Sequence, residues 1–327
     1  MEMRPCGKSE IEISPMGIGC WSYGGGDYWG PQAQSDVTAV AHAALDAGIN
    51  FFDTAEGYNE GRSEEALGIA LKDRRHEAVI GTKVSSPDPE IIRERCKASL
   101  QRLQTDYIDI YMIHWYHDDY AIEDSMVELD KLREDGLIRA IGVCNFGVEQ
   151  LTATLDTGTE VIANQLCYNL LSRGIEVELL PLCQKHNLGI LGYMPLLQGL
   201  LTGKYKSADE LPPVHSRFRH FSNDRPMAKH GEHGAEEEVF ATLERIRKIA
   251  EKEQIPMSRL AIAWTLAKQG ITCILVGTRN VDELKMNLHV FEYLPSSSII
   301  EELDKLTLPL LKKMGSNLDY FLGKRTR

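Results

Sequence analysis

Eight short apolar runs punctuate the chain: Pro15–Gly19, Asn50–Asp53, Ala78–Lys83, Tyr107–His114, Ala140–Cys144, Val161–Gln165, Gly189–Tyr193 and Thr272–Gly277. They are nearly continuous in apolar residues, the pattern of strands buried on both faces. Between them the period changes to 3.6. Val37–Ala47 is alanine-rich and stops at Gly48, a common C-terminal cap residue. Glu64–Leu71, preceded by Ser63, puts Ala66, Leu67, Ala70 and Leu71 on one stripe. Ile91–Leu103, Ile122–Arg133, Val148–Leu155 and Val177–His186 repeat that stripe. Eight strand-plus-helix units predict an α/β fold closed as a (β/α)8 TIM barrel. An open doubly wound sheet is the competing arrangement, but no G-x-G-x-x-G follows the first strand.

Three segments exceed a bare barrel. Residues 3–13 predict a short β-hairpin capping its base. Residues 204–236 form a long insertion after strand seven, rich in Arg, His and Pro. Loops of that length are usually functional. Residues 297–327 read as a C-terminal tail with one helix, Ile299–Leu311, and a polar end, GKRTR. All of 1–327 is read as one barrel domain. The net charge of −12 argues against nucleic acid as a partner, since phosphate contact needs a cationic surface. No membrane span is predicted: the most apolar stretch, Leu188–Leu201, is interrupted by Gly192, Gln198 and Gly199 and falls short of ~20 residues. The start, MEMRPCGKSE, has no apolar signal core. Seven scattered cysteines without a C-x-x-C predict reduced thiols and a cytoplasmic location.

In such barrels chemistry sits at the C-terminal ends of the strands. Asp53 ends the second run, Lys83 the third and His114 the fourth, and Tyr58 follows Asp53 by five residues. Singly, each has an ordinary role: cap or ion pair for Asp53, ion pair for Lys83, buried imidazole for His114, pocket wall for Tyr58. Their convergence on one end of adjacent strands points to chemistry. An ammonium beside a phenol favours phenolate. At ~4 Å and an effective dielectric near 20 the attraction is roughly 4 kcal/mol, about three pKa units before desolvation opposes it. The expectation is a phenol acidic enough to protonate an alkoxide near neutral pH, with the imidazole orienting a carbonyl.

The segments NFFDTAEGY, GTKV, DYIDIYMIHW, IGVCNF and GLLTGKY resemble the aldo-keto reductase family, over almost the whole chain. The resemblance is to the bacterial branch of inositol-operon and general-stress reductases and, more distantly, to potassium-channel β subunits. It implies a (β/α)8 barrel that reduces an aldehyde or ketone reversibly with a nicotinamide cofactor and no metal. It implies that Tyr58 is the general acid, Lys83 its tuner, Asp53 the partner of Lys83, and His114 the substrate orienter. It also implies cofactor contacts. Gly19, Cys20, Trp21 and Asp53 are counted among them. Cys144, Asn145 and Gln165 hold its amide, with Cys144 where the family usually has Ser. Tyr193 stacks on the ring, followed by Met194 in place of Ser. Pro195, Leu196, Gly199, Leu200, Gly203 and Lys204 run along the pyrophosphate. Gly277, Thr278 and Arg279 take the adenosine phosphate, and Asn287 the adenine. Glu283 stands where Gln or Arg is expected, and Met286 where Glu is expected. A carboxylate at 283 repels a 2′-phosphate while Arg279 attracts it, so NADP, the family default, and NAD both stay open.

Trp21, Tyr23, Tyr28, Trp29 and Trp115 are expected to wall a substrate pocket with Tyr58 and His114, for a small-molecule carbonyl or alcohol of sugar or polyol type. Gly24, Gly25 and Gly26 read as a flexible lid tip. His215, His220, His230 and His233 match no common zinc spacing and read as a solvated loop. Arg217, Arg219 and Arg225 are either surface charge or a clamp on the cofactor phosphates, with Arg217 counted among the cofactor contacts. Glu236–Glu238 reads as the acidic first turn of a helix. Two other functions remain open. One is a cofactor-sensing binding protein with slow turnover. The other is a metal-dependent hydrolase on His114, His117 and Asp118, which leaves Tyr58 and Lys83 without a role.

Overall fold

The computed structural model describes residues 1–292 and 294–323. A two-stranded antiparallel hairpin, β1 (Arg4–Pro5) and β2 (Glu12–Ile13), precedes eight parallel strands. These are β3 (Met16–Gly19), β4 (Phe51–Asp53), β5 (Val79–Val84), β6 (Ile108–Ile113), β7 (Ile138–Cys144), β8 (Val161–Cys167), β9 (Gly189–Tyr193) and β10 (Ile271–Gly277). Each pairs with the next, and β10 pairs with β3, so the sheet closes and keeps no free edge. The barrel is thus the fold, and the open sheet is not.

Helices pack around the barrel: α1 (Gln34–Asp46), α2 (Arg62–Leu71), α3 (Pro89–Leu103), α4 (Ile122–Glu134), α5 (Val148–Asp156) and α6 (Leu179–Lys185). They are followed by α7 (Glu236–Lys252), α8 (Met257–Ala267), α9 (Val281–Leu288) and α10 (Ser297–Met314). Local chemistry sets their ends. Gly48 follows α1 at φ +84°, the left-handed conformation that glycine adopts without a Cβ penalty. Asp88 caps α3 by accepting from the Glu90 N–H at 3.0 Å, with Pro89 at the first helical position. Among the described residues no helix is long and apolar enough to cross a membrane.

Side chains alternate in and out along each strand. Phe51, Ile110, Met112, Ala140, Leu191, Cys273 and Leu275 fill the barrel interior. Cys6, Ile11 and Ile13 of the hairpin join that cluster from below, and Arg4 Nη1 donates to the Ile271 carbonyl at 2.9 Å. The hairpin therefore plugs the base.

The insertion differs from its expectation. Residues 204–236 are strapped down at several points by packing and ion pairs; His233 is exposed, as expected of a solvated loop, and His215 is half-buried, but two of the histidines are not solvated. His220 is fully buried, its Nε2 lies 3.1 Å from both Ser172 Oγ and the Leu171 carbonyl, and its ring stacks on Tyr320. His230 is also buried. The Arg219 guanidinium donates to Glu232 at 2.7 Å and to the carbonyls of Asn317 and Met314 at 2.8 and 3.3 Å. Arg225 pairs with Asp209 and Glu236. Arg219 and Arg225 thus tie the insertion to the tail and to α7, and they do not form a phosphate clamp. Glu236 does begin a helix. The final residues, 324–327, lie outside the described residues.

Candidate active site

The same alternation builds the top of the barrel. Two residues beyond the interior Phe51 comes Asp53, two beyond Gly81 comes Lys83, and two beyond Met112 comes His114. On β7, β8 and β9 the same alternation turns Cys144, Gln165 and Tyr193 inward. All converge on one end because the strands are parallel and in register.

Lys83 is fully buried. Its Nζ donates to Asp53 Oδ1 at 2.7 Å, to the Thr54 carbonyl at 2.6 Å and to the Tyr58 hydroxyl at 3.4 Å. Gln165 Nε2 donates to the same Asp53 oxygen at 2.6 Å. Tyr58 opens a 3-10 turn, Tyr58–Gly61, in which Asn59 and Glu60 have φ of 50° and 60°. Such left-handed non-glycine residues carry strain that surrounding structure must hold. The Asn59 amide does so, donating to the carbonyls of Trp21 and Tyr23 at 2.8 and 2.7 Å. The Tyr58 and His114 rings meet edge-on at 5.8 Å. The four residues expected to act together are therefore brought together.

Their electrostatics differ from the expectation in one respect. Burial raises Tyr58 above the ordinary phenol range, outweighing the downward pull of Lys83, and Asp53 adds to the rise. Tyr58 is thus protonated at neutral pH and is less acidic than an ordinary phenol, where a more acidic one was expected. Burial works against the Lys83 ammonium, yet Asp53 and Tyr58 hold it above the usual range, so the pair's proton stays on the lysine. Burial raises Asp53 and Lys83 opposes that rise. Burial and the Lys83 charge push His114 down to about 3, so its imidazole is neutral. Burial also keeps the Cys144 thiol protonated.

Around this chain of groups runs a closed circuit of side chains. Tyr58 meets Trp21 at 5.8 Å, and Trp21 stacks on Tyr28 at 4.7 Å. The Arg217 guanidinium lies over Tyr28 at 5.5 Å and over Phe321 at 5.4 Å. Phe321 meets Trp115 at 6.2 Å, and Trp115 stacks on His114. Trp29 packs against Trp21 and Tyr28. Tyr23 is the exception: expected in the pocket wall, it is fully buried in the outer core. Phe321 was not expected. It arrives from the tail, and no local motif marks it.

The segment from Met194 to Gly203 fits a dinucleotide backbone. Met194, Leu197, Gln198, Gly199 and Gly203 all have positive φ, between 42° and 90°. Repeated excursions of this kind turn backbone N–H groups into anion-binding concavities. At Gly199 a Cβ would lie 3.1 Å from Lys204 Nζ, so glycine lets the lysine lie against the turn. Tyr193 is fixed by donating from its hydroxyl to Asn145 Oδ1 at 2.7 Å. The Asn145 amide donates to the His114 carbonyl and lies 3.2 Å from Cys144 Sγ. Pro195 and Leu200 are buried, whereas Leu196 and Gly19 are partly exposed. Cys20 is fully buried with its thiol on the Ile18 carbonyl. Gly277 is exposed with open space where a Cβ would stand. Thr278 is buried, and Asn287 donates to its hydroxyl at 3.3 Å. The Arg217 Nε is buried without a hydrogen-bond partner.

Among the described residues, no group of three His, Cys, Asp or Glu side chains is placed to hold a metal ion, so His114, His117 and Asp118 form no such cluster. Residues 15–307 match the Aldo/keto reductase family. The "NADH-specific methylglyoxal reductase" of Escherichia coli (strain K12) is 34% identical over 88% of this chain and 93% of its own. Among solved structures, the glycerol dehydrogenase AKR11B4 from Gluconobacter oxydans superposes with a TM-score of 0.78 at 31% identity, covering 96% of both chains. An aldo-keto reductase from Klebsiella pneumoniae in complex with NADPH gives a TM-score of 0.72 at 28% identity, covering 94% of this chain and 96% of that one. The converging strand ends, the strained phosphate-type loop and these likenesses agree: the chain belongs to the aldo/keto reductase family and is an NAD(P)H-dependent oxidoreductase.

Proposed function

We propose that the protein reduces the carbonyl of a small oxygenated aldehyde or ketone, reversibly, with Tyr58 as the proton donor. The observation that carries this reading is the Asp53–Lys83–Tyr58 chain of 2.7 and 3.4 Å contacts beside a neutral His114. When bound against Tyr193, a nicotinamide cofactor supplies the hydride that reaches the carbonyl carbon. The residues of the chain do the rest. His114, being neutral, can donate one ring N–H to the carbonyl oxygen and fix its direction. Tyr58 keeps its proton until the oxygen becomes an alkoxide. An alcohol is a far weaker acid than even a raised phenol, so the transfer then runs downhill. Lys83 stabilises the phenolate left behind, and Asp53 with Gln165 holds the ammonium in place.

The polar, aromatic-walled mouth suits a substrate with hydroxyl groups beside its carbonyl. The relatives' names, methylglyoxal reductase and glycerol dehydrogenase, support small oxygenated substrates of this kind. The described cysteines are all free and buried, which supports a reducing compartment, the cytoplasm. The test is Tyr58→Phe assayed with a panel of small aldehydes and ketones. Turnover is expected to fall by ~10²-fold or more while dinucleotide binding persists. Turnover within threefold of the parent would remove Tyr58 from the reaction. Uniformly slow parental turnover with tight cofactor binding would favour a sensor instead.

A further inference from the structure

We infer that the start of α9 makes the site select NAD(H) over NADP(H), because the chain's own Glu283 fills the anion position there. The inference rests on the dinucleotide reading above and adds a specificity-determining residue to it.

In β/α barrels the loops after the seventh and eighth barrel strands, with the N-terminus of a following helix, commonly form a phosphate-binding corner. Here those parts are the Met194–Lys204 segment and α9. A helix start attracts an anion through unpaired backbone N–H groups and the positive end of its dipole. In this chain the Glu283 carboxylate accepts from the Arg279 backbone N–H at 2.8 Å. The Glu283 N–H in turn donates to the Asn280 side chain, the helix N-cap, at 2.9 Å. Two N–H groups at this turn are therefore already paired, and one of them already faces a negative charge. Asp282 adds a second carboxylate to the same turn.

The Arg279 guanidinium beside this turn is held by neutral oxygens of the loop after β3. Arg279 donates through Nη2 to the Pro31 carbonyl at 2.6 Å and through Nε to Gln32 Oε1 at 2.9 Å. Gln32 returns a bond from Nε2 to the Arg279 carbonyl at 2.9 Å. This reciprocal contact joins the loop after β3 to the start of α9 and uses two of the five guanidinium N–H donors, turning Arg279 toward that loop. A 2′-phosphate entering here meets two carboxylates and a guanidinium with partners. A 2′-hydroxyl carries no charge and can donate to the Glu283 carboxylate. Repulsion between one carboxylate and a doubly charged phosphate ~5 Å apart in water is worth about tenfold in affinity.

The experiment is a fluorescence titration of the full-length protein with NADH and with NADPH, paired with competition by ADP-ribose and its 2′-phosphorylated form. NADH is expected to bind at least about tenfold tighter, and ADP-ribose to compete better than its phosphorylated form. Glu283→Gln keeps an oxygen for the Arg279 N–H and removes the charge, so the NADH-to-NADPH preference should narrow by about tenfold. Far-UV circular dichroism of the variant confirms that it is folded. NADPH binding as tightly as NADH in the parent overturns the inference, as does an unchanged preference in a folded Glu283→Gln. Binding of neither dinucleotide overturns the reductase reading itself and this inference with it.

Discussion

Replacing Lys83 with Met separates what the ammonium does for folding from what it does for the proton donor. Met fills nearly the same space and removes the charge. Asp53 is then a buried carboxylate with the Gln165 amide as its remaining side-chain donor. Removing one partner of a buried ion pair typically costs 3–5 kcal/mol. Asp53 can escape by taking up a proton, which at pH 7 costs about 4 kcal/mol from an ordinary carboxylate pKa, so the loss is bounded and shrinks toward pH 5. For the phenolate, an ammonium 3.4 Å away is worth ~5 kcal/mol at an effective dielectric of 20. Asp53 sits beyond that ammonium and cancels about half, leaving ~2.5 kcal/mol, close to two decades in rate. Urea denaturation and steady-state turnover measure the two effects separately. Lys83→Met should lose 3–5 kcal/mol of stability and about 10²-fold in kcat. The double variant Asp53→Asn/Lys83→Met removes both charges, so it should recover most of the stability and none of the rate. Turnover within threefold for Lys83→Met, or rate returning with stability in the double variant, would refute the electrostatic role.

Two further outcomes follow from the buried cations and imidazoles. His114 and His220 are held neutral down to about 3 and about 4, against 6.5 when unfolded, so between those values the unfolded chain binds more protons. Stability must therefore fall as pH drops below 6.5, and His220→Gln should remove ~3 kcal/mol of that fall between pH 7 and 4, read from urea midpoints. Parallel pH curves for the variant and its parent would show that His220 contributes nothing. Arg219→Met leaves the Glu232 carboxylate and the Met314 and Asn317 carbonyls without their guanidinium. A loss of about 2–4 kcal/mol and faster proteolysis within 204–236 are expected, and an unchanged protease pattern would mean that the insertion is held by other contacts.

The barrel and its polar crown were legible because both depend on local periodicity. A strand period of two decides which residue points inward, so an apolar run ending in Asp53, Lys83 or His114 announces its last inward side chain. The hairpin, the tail helix and the acidic start of α7 were legible for the same reason. The contributions that escaped depend on packing between distant segments. Arg219 and Arg225 are ordinary basic residues in a polar stretch until Glu232, Glu236 and Asp209 fold against them. Tyr23 lies two residues from Trp21, yet one lines the pocket circuit and the other is sealed in the core. Phe321 completes the circuit from the far end of the chain, more than two hundred residues from Trp115.

The phenol marks where reasoning from residue types alone must fail. Spacing identifies Lys83 as the cation beside Tyr58, and Coulomb attraction gives the sign of its effect. The net direction depends on how much water the fold removes, and nothing in the order of residues reports that. With Lys83 and Asp53 both buried and Tyr58 beside them, desolvation exceeds attraction and the phenol titrates high. This suits a proton donor better than a lowered pKa does. A donor with a low pKa would be partly ionised before substrate arrived, whereas Tyr58 is protonated throughout the neutral range. In the proposed reaction Lys83 then acts on the phenolate as it forms during transfer, while burial preserves the proton until then. The same burial keeps His114 uncharged, so in the proposed reaction the two groups facing the carbonyl oxygen take different roles: one orients it and one gives up its proton.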